Sequence, residues 1–213
     1  MERSQPAIPS TTQSKSGRGP PVSYTHLAIC FAAGLNVYAT VATAGLLARV
    51  GALVLPAALH PLQSWWLIGA CGVLFFVEFF GDKIPAFDLI WNALHTFVRV
   101  PIAAWFAYEA TSQLSPVQQL LCTLAGGAIA LAAHSGKTAA RIAVTPSPEP
   151  FSNMALSAGE DVISIFLVWF ATKHPYAAGA IVAAALIFVI VTIQFVWRAL
   201  RALFAGAERE IHA

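Results

Sequence analysis

The chain has 213 residues, of which 58% are hydrophobic and 10% charged. Soluble domains carry about 25% charged residues, so this chain has too little charge to coat a water-facing surface. Its formal net charge of +2 provides no strong field and argues against a nucleic-acid partner, and its length suits one compact membrane domain.

Residues 1–25 are rich in Ser, Thr, Gln, Pro and Gly, with Arg3, Lys15 and Arg18 as their basic residues. Such a segment buries too little apolar surface to order itself and reads as a disordered cytoplasmic tail. It does not read as a secretory signal, because the first apolar run begins only at Leu27, is too long for a signal core and has no small-residue cleavage site after it. Residues 26–200 read as the transmembrane domain and 201–213 as a second cytoplasmic tail. The fold class expected is an all-α polytopic membrane bundle of about six helices.

A spanning helix needs about 20 mostly apolar residues. Leu27–Ala48, Pro116–Ala133 and Tyr176–Trp197 qualify with no Asp, Glu, Lys or Arg. Trp65–Phe80 contains Glu78, the stretch 90–108 contains His95 and Arg99, and Met154–Thr172 contains Glu160 and Asp161. Lys and Arg favour the cytoplasmic side of short loops. Six crossings place Lys83, Lys137, Arg141 and both termini on that side. The segment 84–97 reads as a short interfacial helix, a re-entrant segment or the start of the third span. Cys30, Cys71 and Cys122 lie in apolar runs, match no zinc or redox spacing, and read as small buried hydrophobes.

Ionisable residues within spans mark functional-site candidates. One cluster comprises Glu78, Asp82, Lys83, Asp88, His95 and Arg99. The other comprises His134, Lys137, Arg141, Glu149, Asn153, Glu160 and Asp161. Asp88, Trp91, Asn92, His95 and Arg99 recur at helical spacing along one face. In the fifth span, eight large apolar residues return about 2.4–4.8 kcal/mol, against ~5–7 for a central acidic pair. That helix is marginal unless Glu160 and Asp161 lie off-centre, protonate or find partners. Lys83, Arg99, Lys137 and Arg141 are the available cations, and Ser157 and Ser164 are the nearby hydroxyls. A purely structural ion-pair network stands beside the functional-site reading.

Asn36 sits mid-span among Ala33, Gly34, Ala39, Thr40 and Thr43, and reads as an interhelical hydrogen-bonding residue between closely packed helices. The segment TPSPEPFSN (145–153) is stiffened by Pro146, Pro148 and Pro150, and Ser152 or Asn153 can cap the next helix. It reads as lining the site. No nucleophile elbow, phosphate loop or HExxH motif is present. The spacing of the histidines and acids shows no convergent metal site, and no cofactor is expected.

The stretches VEFFGDKIPAFDLIWNALHTFVR (77–99), SPEPFSN (147–153) and SAGED (157–161), with GLNVYATVATAGLL (34–47), resemble a family of bacterial membrane proteins catalogued as domain of unknown function 4126. The resemblance covers residues 27–175. It implies a multi-pass protein of the bacterial inner membrane and carries no activity, substrate or catalytic residue. The leading functional reading is a small transporter or channel for an ion or small charged solute. The alternatives are a membrane enzyme acting on a lipid or metal-bound substrate, and a structural or accessory protein. The expected partners are the bilayer, a small charged solute and, since six short helices enclose little volume, further copies of the chain.

Overall fold

A computed structural model of the chain describes residues 22–81, 85–144 and 150–211. Among these are seven α-helices and one 3-10 helix, with no strand. They run α1 (Val22–Leu35), α2 (Val37–Arg49), the 3-10 helix (Ala57–Gln63), α3 (Trp65–Gly81), α4 (Pro85–Ala110), α5 (Pro116–Val144), α6 (Pro150–Lys173) and α7 (Pro175–Ile211).

The centre of the bundle is α1. Its segment Ala28–Leu35 is apolar all round and buried on every side, as a helix without a polar face must be. It packs against α4, α5, α6 and α7. Small residues permit this closeness. A Cβ placed on Gly34 would lie 2.4 Å from the Ala130 carbonyl oxygen and 2.7 Å from the Ala133 Cβ. Gly34→Ala is therefore expected to cost about 1–3 kcal/mol through overpacking of α1 against α5. Gly72→Ala is the control, because nothing lies within 4 Å of its added Cβ. Thermal unfolding in detergent should separate the two, and equal melting temperatures would contradict the packing described.

The first predicted span is interrupted. Helical backbone bonding stops being regular at Asn36, whose φ of −144° and ψ of 106° are extended. At about 1.5 Å per residue, neither α1 nor α2 alone spans a hydrocarbon core of ~30 Å. Side-chain pairs fix the direction of the chain through this break. Cys30 bonds to Ala103 O, Arg99 to Gly34 O and Tyr38 to His95, so α1 and the start of α2 run antiparallel to α4. Thr25 bonds to Ala171 O, Ser164 to Ala32 O and Asn36 to Asp161, which gives the same relation to α6.

The far end of α2 meets the start of α3. Arg49 donates to Gln63 O at 2.7 Å and stacks 4.3 Å from the centre of the Trp65 ring. The 3-10 helix and α3 meet at a bend of 64°. Among the described residues, three helical stretches are long and apolar enough to cross a membrane: Pro116–Arg141, Met154–Lys173 and Pro175–Ala199. The bent pair makes a fourth if counted as one span.

This differs from the six alternating spans expected. Six crossings put Tyr24 and Tyr176 on opposite faces, yet their ring centroids lie 5.3 Å apart. The α6–α7 turn at His174 thus shares an end of the bundle with the start of α1. The alternation treated every apolar run as an equal crossing. The break at Asn36 and the α2–α3 pairing violate that assumption. Of the ambiguous segment 84–97, residue 84 lies outside the described residues and 85–97 belong to α4, one helix that continues through Pro101. Helix α7 continues to Ile211, into the stretch read as a tail.

Candidate functional site

Asn36 is the hub of the break. Its side-chain oxygen accepts from the Ala39 N–H at 2.9 Å and so caps α2. Its amide nitrogen donates to Asp161 Oδ1 at 2.8 Å. Its backbone oxygen accepts from the Thr40 hydroxyl at 2.7 Å. Asn36 and Thr40 are fully buried, and buried polar groups need such partners. The two half-helix ends also present opposite partial charges. The Arg99 guanidinium lies 3.5 Å from Gly34 O at the negative end of α1. The Asp161 carboxylate, held by Asn36, faces the positive end of α2.

The two sequence clusters merge around this break. Glu78 of α3 is ion-paired to Arg99 of α4, and both are buried. Lys137 of α5 lies 2.9 Å from Glu160 of α6 and 3.8 Å from Glu78. Arg141, one turn further along α5, lies 3.4 Å from the same Glu160 oxygen. Among the described residues, the buried charges are Arg99, Lys137 and Arg141 against Glu78, Glu160 and Asp161. Among the described residues these are three cations and three anions. A low-dielectric interior demands that balance, because an uncompensated buried charge is very costly.

The histidines add neutral links whose tautomers follow from their partners. An arginine donates only, so His134 Nδ1, 2.9 Å from Arg99 Nη1, is an acceptor. Its Nε2 then carries the proton and donates to the Thr96 hydroxyl at 2.8 Å. His95 is the reverse. Its Nδ1 lies 2.7 Å from the Trp91 carbonyl, which only accepts, so Nδ1 carries the proton. Its Nε2 accepts from the Tyr38 hydroxyl at 2.7 Å. Nitrogen-15 NMR of histidine-labelled protein should show these two rings as opposite neutral tautomers. Finding them in the same tautomer, or charged at neutral pH, would contradict this network.

Of the residues singled out from sequence, Asn36, Glu78, His95, Arg99, His134, Lys137, Arg141, Glu160 and Asp161 come together. Asp82, Lys83 and Glu149 lie outside the described residues, as do the side chains of Asp88 and Asn153 and the rest of the proline-rich segment 145–149. Ser164 does not serve the acids as expected. Its hydroxyl donates to the backbone oxygen of Glu160 at 2.8 Å and lies 3.4 Å from that of Ala32. Tyr38 and Thr96 were not anticipated, although each neighbours a residue that was. A cavity of 210 Å³ between α3 and α6 reaches Asp161 and is otherwise apolar, with Phe75, Phe76 and Phe79 on its α3 side. No three His, Cys, Asp or Glu side chains converge as metal ligands among the described residues.

A helical bundle with apolar spans and a buried cluster of charges between its helices is the architecture of an integral membrane protein. The chain belongs to the family described as Domain of unknown function (DUF4126), which matches residues 24–195. No curated protein and no solved structure shows significant similarity to it.

Proposed function

We propose that the protein moves a small charged solute or ion across the membrane, with the charged network around Asn36 as its binding site. The observation that carries this reading is the interruption of the central helix at the point where charges from α3, α4, α5 and α6 meet. Broken helices with polar groups at their half-helix ends are a recurring way to bind solutes at membrane depth. Irregular backbone is tolerated there only where protein or water covers it, and Asn36 is covered. The cavity beside Phe75, Phe76 and Phe79 supplies a route to Asp161.

A structural ion-pair network is the second reading, favoured by the balance of buried charge. Membrane proteins rarely place so many ionisable groups inside for cohesion alone, because each is costly to insert. Flux into proteoliposomes across a panel of ions and charged metabolites separates the two. Wild type should move at least one solute, and Glu160→Gln should abolish that flux. A silent wild type across the panel contradicts transport.

The positions of Tyr24 and Tyr176 also favour ends of the described chain that face opposite sides of the membrane. Among the described residues, Arg141, Arg198 and Arg201 lie toward the other end of the bundle and favour that end as cytoplasmic.

A further inference from the structure

Lys137 places a primary ammonium between carboxylates of two different helices. Its Nζ lies 2.9 Å from Glu160 Oε2 and 3.8 Å from Glu78 Oε1, with its side chain 1% exposed. Glu78 Oε2 is buried and has no hydrogen-bond partner among the described residues, so this carboxylate has acceptor capacity to spare. The next residue along α6 from Glu160 is Asp161, which the aromatic-flanked cavity reaches. Phenyl faces attract ammonium groups, so the cavity wall and the carboxylates suit the same chemistry.

We infer that Glu78 and Glu160 form a recognition site for a small solute carrying a primary ammonium, which Lys137 occupies in the resting protein. This rests on the reading of the network as a solute site and names the solute's class. The route in is the cavity beside Phe75, Phe76 and Phe79. Exchange must keep the buried charge balanced. The incoming ammonium adds one positive charge, so one resident charge has to leave. Arg99 and Arg141 cannot release a proton, whereas a buried lysine can. Lys137 passes from R–NH3⁺ to R–NH2 and its proton goes to bulk water. One ammonium enters, one proton leaves, and the charge of the site is unchanged. Among the described residues, Lys137 is paired with Glu78 from α3 and Glu160 from α6, close to His95 from α4 and His134 from α5, with Arg99 sharing Glu78 and Arg141 sharing Glu160.

The test is calorimetric titration of the purified full-length protein with butylammonium, with dye-monitored proton release in weak buffer. Wild type should release about one proton per ligand bound, and its affinity should rise about tenfold per pH unit, as binding coupled to release of one proton requires. Tetramethylammonium, which has no N–H donor, should not bind. Glu160→Gln should lose butylammonium binding. Lys137→Met should bind it without proton release and with pH-independent affinity. If wild type binds no butylammonium, or binds it with no proton released, the inference is overturned. Where Lys137→Met does not fold, the wild-type proton count and Glu160→Gln still decide. Binding with proton release but no flux in proteoliposomes would sink the transport reading and leave this one standing. Flux of another solute without ammonium binding would do the reverse.

Discussion

Arg99→Met is expected to destabilise the folded protein by about 3–5 kcal/mol, the range for removing one partner of a buried ion pair. Glu78 is 1% exposed and among the described residues would keep only Lys137, 3.8 Å away. His134 Nδ1 would also lose the donor it accepts from. The cost arises from the stranded carboxylate more than from the lost attraction, because a well-packed neutral pair in the same place is often no less stable than the ion pair. The double variant Arg99→Met/Glu78→Gln should therefore recover most of the stability lost by Arg99→Met alone. Thermal unfolding in a single detergent measures both. A double variant as unstable as the single one would show that the arginine acts through packing and not through charge.

The second large effect is at Asn36. Asn36→Leu removes the cap of α2, about 1 kcal/mol. It also removes the donor to Asp161, and a hydrogen bond to a charged group is worth about 1.5–3 kcal/mol. The sum places the loss at about 2.5–4 kcal/mol. Asn36→Asp separates the two roles. A carboxylate still accepts from the Ala39 N–H, but it cannot donate to Asp161, and it sets two acids at hydrogen-bond distance. Asn36→Asp should be destabilised at neutral pH despite its intact cap. If it melts like wild type, the Asn36–Asp161 bond contributes nothing and only the cap matters.

The class of the protein was legible because apolar length is a one-dimensional property. The stretches read as Pro116–Ala133, Met154–Thr172 and Tyr176–Trp197 fall inside α5, α6 and α7. The break at Asn36 was not legible, since Gly34, Asn36 and Tyr38 are compatible with a continuous helix. At the break Asn36 bonds to a partner 125 residues away, Asp161, and no local pattern reveals that. The alternation of basic residues was silent on the break for a related reason. It records a bias summed over loops and does not register that α1 starts beside the start of α7. The charges themselves were easy to find. Ionisable residues in apolar spans stand out one by one, and His134, Lys137 and Arg141 share a face at helical spacing. Their pairing was only partly legible. Lys137 and Arg141 pair with Glu160 as the spacing allowed, whereas Arg99 pairs with Glu78 and Asp161 accepts from the Asn36 amide.

Butylammonium exchange tests the identity of the solute, and the melting experiments test the cohesion of the network. The function is tested most directly by solute flux through the neutral pair Arg99→Met/Glu78→Gln in proteoliposomes. This variant should fold nearly as well as wild type, because no charge is stranded. If the network is the binding site, the folded variant should transport nothing that the wild type transports. Wild-type flux through a protein lacking both charges would contradict the account and leave the buried ion pairs as structural ties alone.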